Sequence, residues 1–259
     1  MHTSLSVLPV ACEPPNVEAF RMPEQTILTV DVGGSHVKLL LSRGDTERRR
    51  FESGPTLRPQ EMVEGVLALA SDWSYDAVSV GVPAPVREGR VVTDPVNLGP
   101  GWVGFEFEEA FGKPTKVFND AAMQALGSYE GGKMLFLGFG TGLGSALVVD
   151  GIVEPMELAH LPFRKATYED YVGERGRKRL GGKKWRETVF ETIEEFSAAL
   201  EPDYIVLGGG NAKKLGALPE NVKLGANENA FLGGFRLWDP TLPAQALTCS
   251  AGREDNQPR

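Results

Sequence analysis

Two polar residues at the end of a strand-like run have the types and the position needed for acid–base chemistry. Asn119 and Asp120 directly follow the run at 115–118 and directly precede the helix-like segment AAMQALG. Open α/β sheets bind ligands beyond the carboxyl ends of their strands, so Asp120 lies where a catalytic carboxylate would be placed. A carboxylate at a helix start is also a frequent N-cap, and Asp120 taken alone is interpreted as that cap.

A glutamate and a histidine form a second polar pair within the segment EPMELAH. Glu157 and His160 are three residues apart and are flanked by Leu158 and Leu161. Such a pair can converge on vicinal hydroxyls, with the carboxylate accepting and the imidazole donating or accepting hydrogen bonds. His160 could equally be a core histidine or a metal ligand, although no cysteine cluster accompanies it to complete a zinc site.

The segment DVGGSHVK, at 31–38, is the first of three glycine-rich segments. Two adjacent glycines let a backbone approach an anion closely and present N–H groups to it. Here they lead into a second strand, whereas a dinucleotide-binding fingerprint requires a following helix. A tight hairpin turn remains the alternative. Asp31, beside the glycines, could hold a hydrated Mg²⁺.

The segments GFGTGLGSA and LGGG, at 138–146 and 207–210, are the other two. Each glycine costs about 0.5–1 kcal/mol of backbone entropy relative to alanine, and a structural turn rarely needs as many as the first segment contains. We therefore expect GFGTGLGSA to cradle phosphate. The LGGG segment could let a nucleotide base or ribose lie against the backbone, or could simply open a helix.

Alternating strand-like and helix-like segments must position these groups. The pattern predicts strands at 26–31, 36–41, 77–82, 91–92, 115–118, 133–138, 145–149 and 204–207, and helices at 59–73, 167–180 and 184–200 as well as after Asp120. A strand–glycine–strand hairpin opens each half of the chain. This repeated plan predicts two related α/β domains that close over a central cleft.

The expected organisation is a loose leader at 1–24, an N-terminal α/β domain at 25–119, a C-terminal α/β domain at 120–238 and a loose tail at 239–259. The leader and tail are assigned because they are Pro-rich or polar and lack sustained periodicity.

Composition excludes several classes of function. The 259 residues carry a formal net charge of −8, which disfavours nucleic-acid binding; the basic stretches at 48–50 and 175–184 are interpreted as solvated faces. Cys12 and Cys249 form no metal or disulfide pattern. No apolar run of about 18 residues and no secretory signal is found, so we expect no membrane association and a cytoplasmic location.

Taken in order, these motifs resemble those of the ROK family (repressors, open reading frames and sugar kinases), and especially its polyphosphate/ATP glucokinase branch. The resemblance runs from about residue 26 to residue 237. DVGGSHVK and GFGTGLGSALVVDG are similar to the family's two phosphate motifs, and GVPAPV to its G-x-P-G-x-V segment. NLGPGW resembles its sugar loop, FNDAAMQALG its N-D-A motif, ELAH its E-L-G-H motif and EPDYIVLGGGNAKK the branch's P-D-x-I-I-L-G-G-G-x-S-K.

The resemblance implies an actin-like ATPase (ribonuclease H-like) fold, a homodimer, and Mg²⁺-dependent phosphoryl transfer from ATP or inorganic polyphosphate to a hexose hydroxyl, such as the 6-OH of glucose. Asp120 would be the catalytic base. The implied sugar contacts are Asn97, Asn119, Asp120, Glu157 and His160, with Glu169 as a further candidate. The implied donor contacts are Asp31, Gly33, Gly34, Ser35, Lys38, Thr141, Gly142, Gly208, Gly209 and Gly210.

Departures from the family pattern refine this expectation. Many members carry a Cys-rich zinc loop after the E-L-G-H motif, and its absence here implies that His160 is a sugar ligand and that there is no zinc site. Ala159 replaces the glycine of that motif and Ser35 replaces the usual threonine, and neither change removes a polar catalytic group.

The alternative function is a sugar-binding regulatory protein on the same fold, without kinase activity. Family repressors carry an N-terminal helix-turn-helix, and the 30 residues before Asp31 are expected to be too short and too rich in proline to form one. A nicotinamide-dependent dehydrogenase is disfavoured because the glycines lead into strands.

Overall fold

The structure, a computed structural model, describes residues 23–44, 47–226 and 228–241. Two five-stranded sheets with helices between and around them form its framework. In chain order the elements are β1 (Ile27–Val32), β2 (His36–Leu41), β3 (Arg49–Glu52), α1 (Pro59–Leu69), β4 (Ala77–Val82), β5 (Val86–Arg87), β6 (Arg90–Val91), α2 (Phe107–Phe111), β7 (Thr115–Asn119), α3 (Asp120–Ser128), β8 (Lys133–Phe139), β9 (Leu143–Val149), β10 (Ile152–Met156), β11 (Pro162–Phe163), β12 (Ala166–Thr167), α4 (Tyr168–Val172), α5 (Glu174–Leu180), α6 (Gly182–Leu200), β13 (Tyr204–Gly208), β14 (Val222–Leu224) and α7 (Asn229–Arg236).

The two sheets share one topology. The first has the order β3-β2-β1-β4-β7 and the second the order β10-β9-β8-β13-β14. In each, the first three strands along the chain pair antiparallel and the last two add in parallel. The repeated plan predicted from the glycine hairpins is therefore confirmed at the level of the sheets, and the α/β fold class is confirmed with it.

Burial explains why the central strands form where the sequence indicated. Every residue of β1 and of β4 is buried, as expected for strands covered on both faces. One face of the first sheet packs under α1 and α2, and the second sheet packs under α4, α5 and α6.

Helices α3 and α7 cross at close range between the two sheets. At Gly127 a Cβ would overlap the carbonyl oxygen of Asn229, and at Gly233 a Cβ would overlap that of Met123. Helix α7 also packs on the first sheet, where the Ser79 hydroxyl donates a hydrogen bond of 2.7 Å to the Gly234 carbonyl. The C-terminal segment thus fixes α3, and with it the residue at the start of α3, against the first sheet.

Two predicted helices differ from the observed ones. The helix predicted at 59–73 ends at Leu69, because Arg49 donates to the Leu69 carbonyl and pairs with Asp72 in the following turn. The helix predicted at 167–180 is two helices, α4 and α5, separated at Gly173. Gly173 is extended there and packs so closely on Thr141 that a Cβ would lie 2.9 Å from the Thr141 carbonyl oxygen.

Several elements were not predicted, namely β3, β5, β10, β11, β12, β14, α2 and α7. Most of the predicted leader and tail, with Cys12 and Cys249, lies outside the described residues. The division into domains at residues 119 and 120 stays a prediction. In the described ranges, no helix combines the length and the apolar character that a membrane span requires.

The α3–α7 crossing yields a stability prediction. Gly127→Ala should lower the free energy of unfolding by several kcal/mol, because the added methyl group overlaps backbone that cannot move independently. Gly182→Ala is the matched control, since this glycine of α6 has only a flexible arginine side chain nearby, and it should be neutral or slightly stabilising. Urea unfolding of both variants tests this, and equal stabilities would contradict the crossing.

Candidate active site

Asp120 is the first residue of α3, and Asn119 is the cap of that helix. The Asn119 Oδ1 accepts a hydrogen bond of 3.0 Å from the Ala122 N–H, and its Nδ2 donates to the Ala84 carbonyl at 3.2 Å. The interpretation of Asp120 as the N-cap is therefore wrong by one residue. Its Oδ1 accepts a hydrogen bond of 2.8 Å from the neighbouring Ala121 N–H, and among the described residues no side chain bonds to this carboxylate.

The environment of Asp120 favours the protonated carboxyl. Burial raises its pKa to about 7, and the negative charges of Asp31 and Glu157 contribute in the same direction. The Lys38 ammonium lies 2.8 Å from Asp31 Oδ2 and balances that second carboxylate. Lys38, expected at the donor, thus contacts Asp31 in this structure. A carboxyl with a pKa near neutrality suits a group that takes up a proton and returns it.

Both glycine hairpins adjoin Asp120. Asp31 is the penultimate residue of β1 and Gly33 and Gly34 follow in the first turn, where the Gly33 N–H donates to the His36 carbonyl at 3.0 Å. Gly34 and Ser35 are exposed at the tip. On the other side, a Cβ on Gly144 would lie 2.8 Å from that of Ala121. The start of α3 therefore lies between the bases of the two turns.

Glu157, His160 and Glu169 form a polar cluster on the C-terminal side. The Glu157 carboxylate lies 3.4 Å from His160 Nε2, and both side chains are largely exposed. Partial desolvation raises the pKa of Glu157, the His160 imidazole lowers it, and the Glu169 carboxylate raises it. The Glu157 charge also raises the pKa of Asp120, so these two carboxyl groups lie within electrostatic reach of each other. The carboxylates of the cluster can accept hydrogen bonds from several hydroxyls.

Asn97 stands on a loop that returns to the first hairpin. A Cβ on Gly34 would lie 3.3 Å from the Asn97 Cβ, so this exposed side chain adjoins the tip of the turn. Asp94, which sequence reasoning missed, organises the loop. Its Oδ1 accepts from the N–H groups of Gly101 at 3.1 Å, Trp102 at 2.7 Å and Val103 at 3.3 Å. These bonds, led by that from Trp102, lower the pKa of Asp94.

The second hairpin turn is packed against the start of α5. The Gly140 N–H donates to the Gly142 carbonyl at 3.1 Å, and the Glu174 N–H donates to the Thr141 carbonyl at 3.1 Å. Glu169 lies directly on the turn, because a Cβ on Gly142 would overlap its carboxylate. Glu169 thus touches the candidate donor turn while its charge acts on Glu157.

The glycine run after β13 meets the same turn. Gly209 has φ of +80° and a Cβ there would overlap the Phe139 carbonyl, whereas Gly210 has open space around it. Gly208 packs against the Phe136 ring at the strand end. The run does not begin a long helix. It packs against the base of the second hairpin.

The acidic residues present fit a magnesium ion that is held mainly by phosphate oxygens and water. In the part of the chain that the structure describes, no group of three or more metal-ligating side chains comes together. One or two carboxylates with substrate phosphates are the usual protein share of a Mg²⁺ site. Asp31, whose Oδ2 accepts a hydrogen bond of 2.8 Å from Lys38 Nζ, suits that role through water.

Comparison with known proteins agrees with this geometry. No protein-family model matches the chain. It is 24% identical over 206 residues to the polyphosphate glucokinase of Mycobacterium tuberculosis, covering 71% of this chain and 77% of that protein. It is 27% identical over 149 residues to the bifunctional enzyme NanE/NanK of Brucella melitensis, where the match covers 52% of this chain but only 29% of that enzyme.

Solved structures identify the fold. The polyphosphate/ATP glucomannokinase of Arthrobacter superposes with a TM-score of 0.71 at 22% identity, covering 81% of this chain and 96% of that one. The chain has the fold of the ROK sugar kinases. A ROK glucokinase from Streptomyces griseus, solved with glucose and AMPPNP, gives 0.67 at 15% identity over 82% of this chain and 98% of that one. A ROK transcriptional regulator shares the fold, with 0.62 at 16% identity over 86% and 78%. The resemblance inferred from the motifs, and the actin-like ATPase fold, are thereby confirmed.

The raised pKa of Asp120 predicts a pH-dependent stability. A group whose pKa is higher in the folded state than its ordinary value of 3.8 stabilises the fold fully below that value, and this contribution is lost as the pH rises towards about 7. At pH 8, Asp120→Asn should therefore unfold at a higher urea concentration than the wild type. Its free energy of unfolding should be greater by up to about 1.4 kcal/mol per unit of pKa shift. Near pH 4 the difference should vanish.

The exposed carboxyl of Glu154, on β10, offers the matched control for that measurement. Glu154→Gln should leave stability unchanged at both pH values. A wild type more stable than Asp120→Asn at pH 8 would contradict the described environment of Asp120.

The contact between Gly142 and Glu169 predicts a second pair of variants. Gly142→Ala should lower the melting temperature because the new methyl group meets the Glu169 carboxylate, and adding Glu169→Ala should restore part of the loss. Gly140→Ala, two residues earlier in the same turn, meets nothing within 4 Å and should be tolerated. Differential scanning calorimetry measures all three variants, and equal losses at the two glycines would refute the contact.

Proposed function

We propose that this protein is a sugar kinase that transfers a phosphoryl group from ATP or inorganic polyphosphate to a hexose hydroxyl, with the 6-OH of glucose as the expected acceptor. One observation carries the proposal. Asp120, with its pKa raised to about 7, lies between two glycine hairpins and within electrostatic reach of Glu157. The sugar kinases among its homologues support the reaction class.

Asp120 acts as the general base in this reaction. Its carboxylate accepts the proton of the acceptor hydroxyl as that oxygen forms a bond to the transferred phosphorus, which makes the oxygen a better nucleophile. The bond from that phosphorus to the bridging oxygen of the donor breaks, and ADP or a polyphosphate one phosphate shorter leaves. A positioned base contributes typically 10²–10⁴-fold to rate. The position of Asp120 at the start of α3, fixed from both sheets, supplies the rigid alignment that most of the rate enhancement in phosphoryl transfer requires.

The acceptor sugar is held through its hydroxyl groups by residues of the loop after β6 and of the segment after β10. Glu157, Glu169 and Asn97 provide acceptor oxygens, and His160 Nε2 provides a donor or an acceptor. Asn119, already bonded to Ala84 and Ala122, keeps remaining hydrogen-bonding capacity for a hydroxyl. Several carboxylates around one small ligand favour a neutral, hydroxyl-rich substrate over an anionic one.

The donor phosphates lie against the glycine turns. Gly33, Gly34 and Ser35 form the first turn, Thr141 and Gly142 the second, and backbone N–H groups at such turns can hold phosphate oxygens. Bound Mg²⁺ would neutralise negative charge on the donor. Asp31 would hold it through water, and Lys38 would keep Asp31 from adding an unbalanced charge beside Asp120.

The basic stretch at 175–184 bears on whether the donor is ATP or a long polyphosphate. The stretch at 175–184 is basic, but within it Arg175 and Arg177 pair with the carboxylates of Glu169, Asp170 and Glu174. This pairing is more typical of a solvated surface than of a binding surface for a long polyanion such as polyphosphate. A homodimer and a cytoplasmic location remain proposals that the family resemblance supports.

A regulatory sugar-binding protein is the second candidate, because a transcriptional regulator shares the fold. Such a protein would bind hexose through the same cluster without transferring phosphate. The raised pKa of Asp120 favours the kinase, since binding alone gives no reason to keep a destabilising carboxyl there.

A coupled assay with a panel of hexoses and both donors tests the proposal. Asp120→Asn should lower kcat by about 10²–10⁴-fold while hexose binding, measured by calorimetry, persists. In the wild type, kcat should fall as the pH decreases through about 7, because the base becomes protonated. Glu154→Gln should match the wild type. Hexose binding without turnover by either donor would favour the regulator, and an unaffected Asp120→Asn variant would exclude the mechanism.

A further inference from the structure

Asn211 joins three segments beside the candidate donor turn at 140–142. Its backbone N–H donates to the Phe139 carbonyl at 2.9 Å, and its Nδ2 donates both to the Gly140 carbonyl at 3.1 Å and to Glu174 Oε2 at 3.0 Å. The residue is 5% exposed. The tip of the second hairpin, the turn after β13 and the start of α5 are therefore held together by one side chain.

The Asn211 side chain also binds a lysine ammonium; we call Asn211 and its bonded partners the Asn211 junction. Lys214 Nζ donates a hydrogen bond of 2.6 Å to Asn211 Oδ1, the other end of the amide that holds Gly140. Lys214 itself is exposed, on a single helical turn at 212–214. Its position is thus set by a neutral oxygen rather than by solvent alone.

Glu174 and Lys214, the two charged groups bonded to Asn211, differ in whether they have an ion-pair partner. Glu174 is neutralised by Arg177, which donates two hydrogen bonds of 2.8 Å and holds the Glu174 pKa near 2. Within the described ranges, Lys214 has no carboxylate within ion-pair distance. Its ammonium is bonded to the Asn211 amide oxygen, and the same amide is bonded to the Gly140 carbonyl of the glycine turn.

We propose that Lys214 is a donor-binding residue whose ammonium contacts the phosphate chain beyond the transferred phosphoryl group, with Asn211 holding it in place. The inference rests on the proposed phosphoryl transfer and names a residue of the donor site. The chemistry it recognises is a phosphate chain, as found in a nucleoside triphosphate or in inorganic polyphosphate. A lysine binds such a chain as a point charge, so it suits either source.

The test compares two neighbouring lysines. Lys213 is exposed and precedes Lys214, so Lys213→Met removes the same charge at nearly the same place. Tripolyphosphate and MgATP are titrated by calorimetry into the wild type, Lys214→Met, Lys214→Arg and Lys213→Met. The KM for each donor and for the hexose is measured in parallel.

We expect Lys214→Met to weaken binding of tripolyphosphate, MgATP or both by about tenfold, at the lower end of the value of a charged hydrogen bond. The donor KM should rise equally and the hexose KM should stay constant. Lys214→Arg should retain most of the affinity and Lys213→Met all of it. Weakening confined to one ligand supports the proposal and identifies which phosphate chain the site takes.

Wild-type affinity of Lys214→Met for both ligands would overturn the proposal. Equal weakening in Lys213→Met would also overturn it, because the effect would then be one of overall charge. If the wild type phosphorylates no hexose, the proposed function fails, while the binding titrations still decide the role of Lys214. If the wild type binds neither ligand, both proposals fail.

Discussion

The negative charge of Asp120 is held partly out of water beside a second carboxylate, Asp31, and the architecture of the site depends on that arrangement. Desolvation and like charge both oppose ionisation, which is why the pKa is raised to about 7. The Lys38 ammonium, 2.8 Å from Asp31 Oδ2, partly balances the charge of Asp31 and so limits how far that charge raises the pKa of Asp120. A raised pKa destabilises the folded protein at neutral pH, so other interactions must hold Asp120 in place.

Those interactions come from the crossing of α3 and α7. The glycines at the crossing bring the helices together, and α7 is anchored on the first sheet by Ser79 and by Lys116, which donates to the Leu237 carbonyl at 2.7 Å. The C-terminal helix therefore supports a residue that belongs, by position, to the end of the first sheet. Because α3 also packs on β9, a relative movement of the two sheets would change the surroundings of Asp120 directly.

Sequence patterns located the glycine hairpins and the buried strands well, because apolar β-branched runs ended by glycine leave few other structures. They missed β3, whose sequence Arg-Arg-Phe-Glu lies at a sheet edge and alternates between partly buried and exposed. They placed the helix cap on Asp120 instead of Asn119, since either side chain can cap and one residue of register separates them. Local pattern also could not separate α4 from α5, because the break at Gly173 is set by its contact with Thr141.

The residues that organise the site were the hardest to predict. Asp94 acts on N–H groups seven to nine residues later, and Asn211 on a hairpin about 70 residues earlier in the chain. Such contacts arise only when the tertiary structure brings distant segments together. For Glu157, His160 and Glu169, the motifs gave the residue types, and the structure adds that their charges act on one another.

In the proposed reaction, Asp120 receives the proton of the acceptor hydroxyl. A crystal structure with a hexose and a non-hydrolysable donor measures this directly. We expect the reacting hydroxyl oxygen to lie within about 2.6–3.2 Å of the Asp120 carboxylate, on the side facing the glycine turns. A hydroxyl oxygen beyond about 3.5 Å without a bridging water, or bonded instead to Asp31 or Glu157, would contradict it.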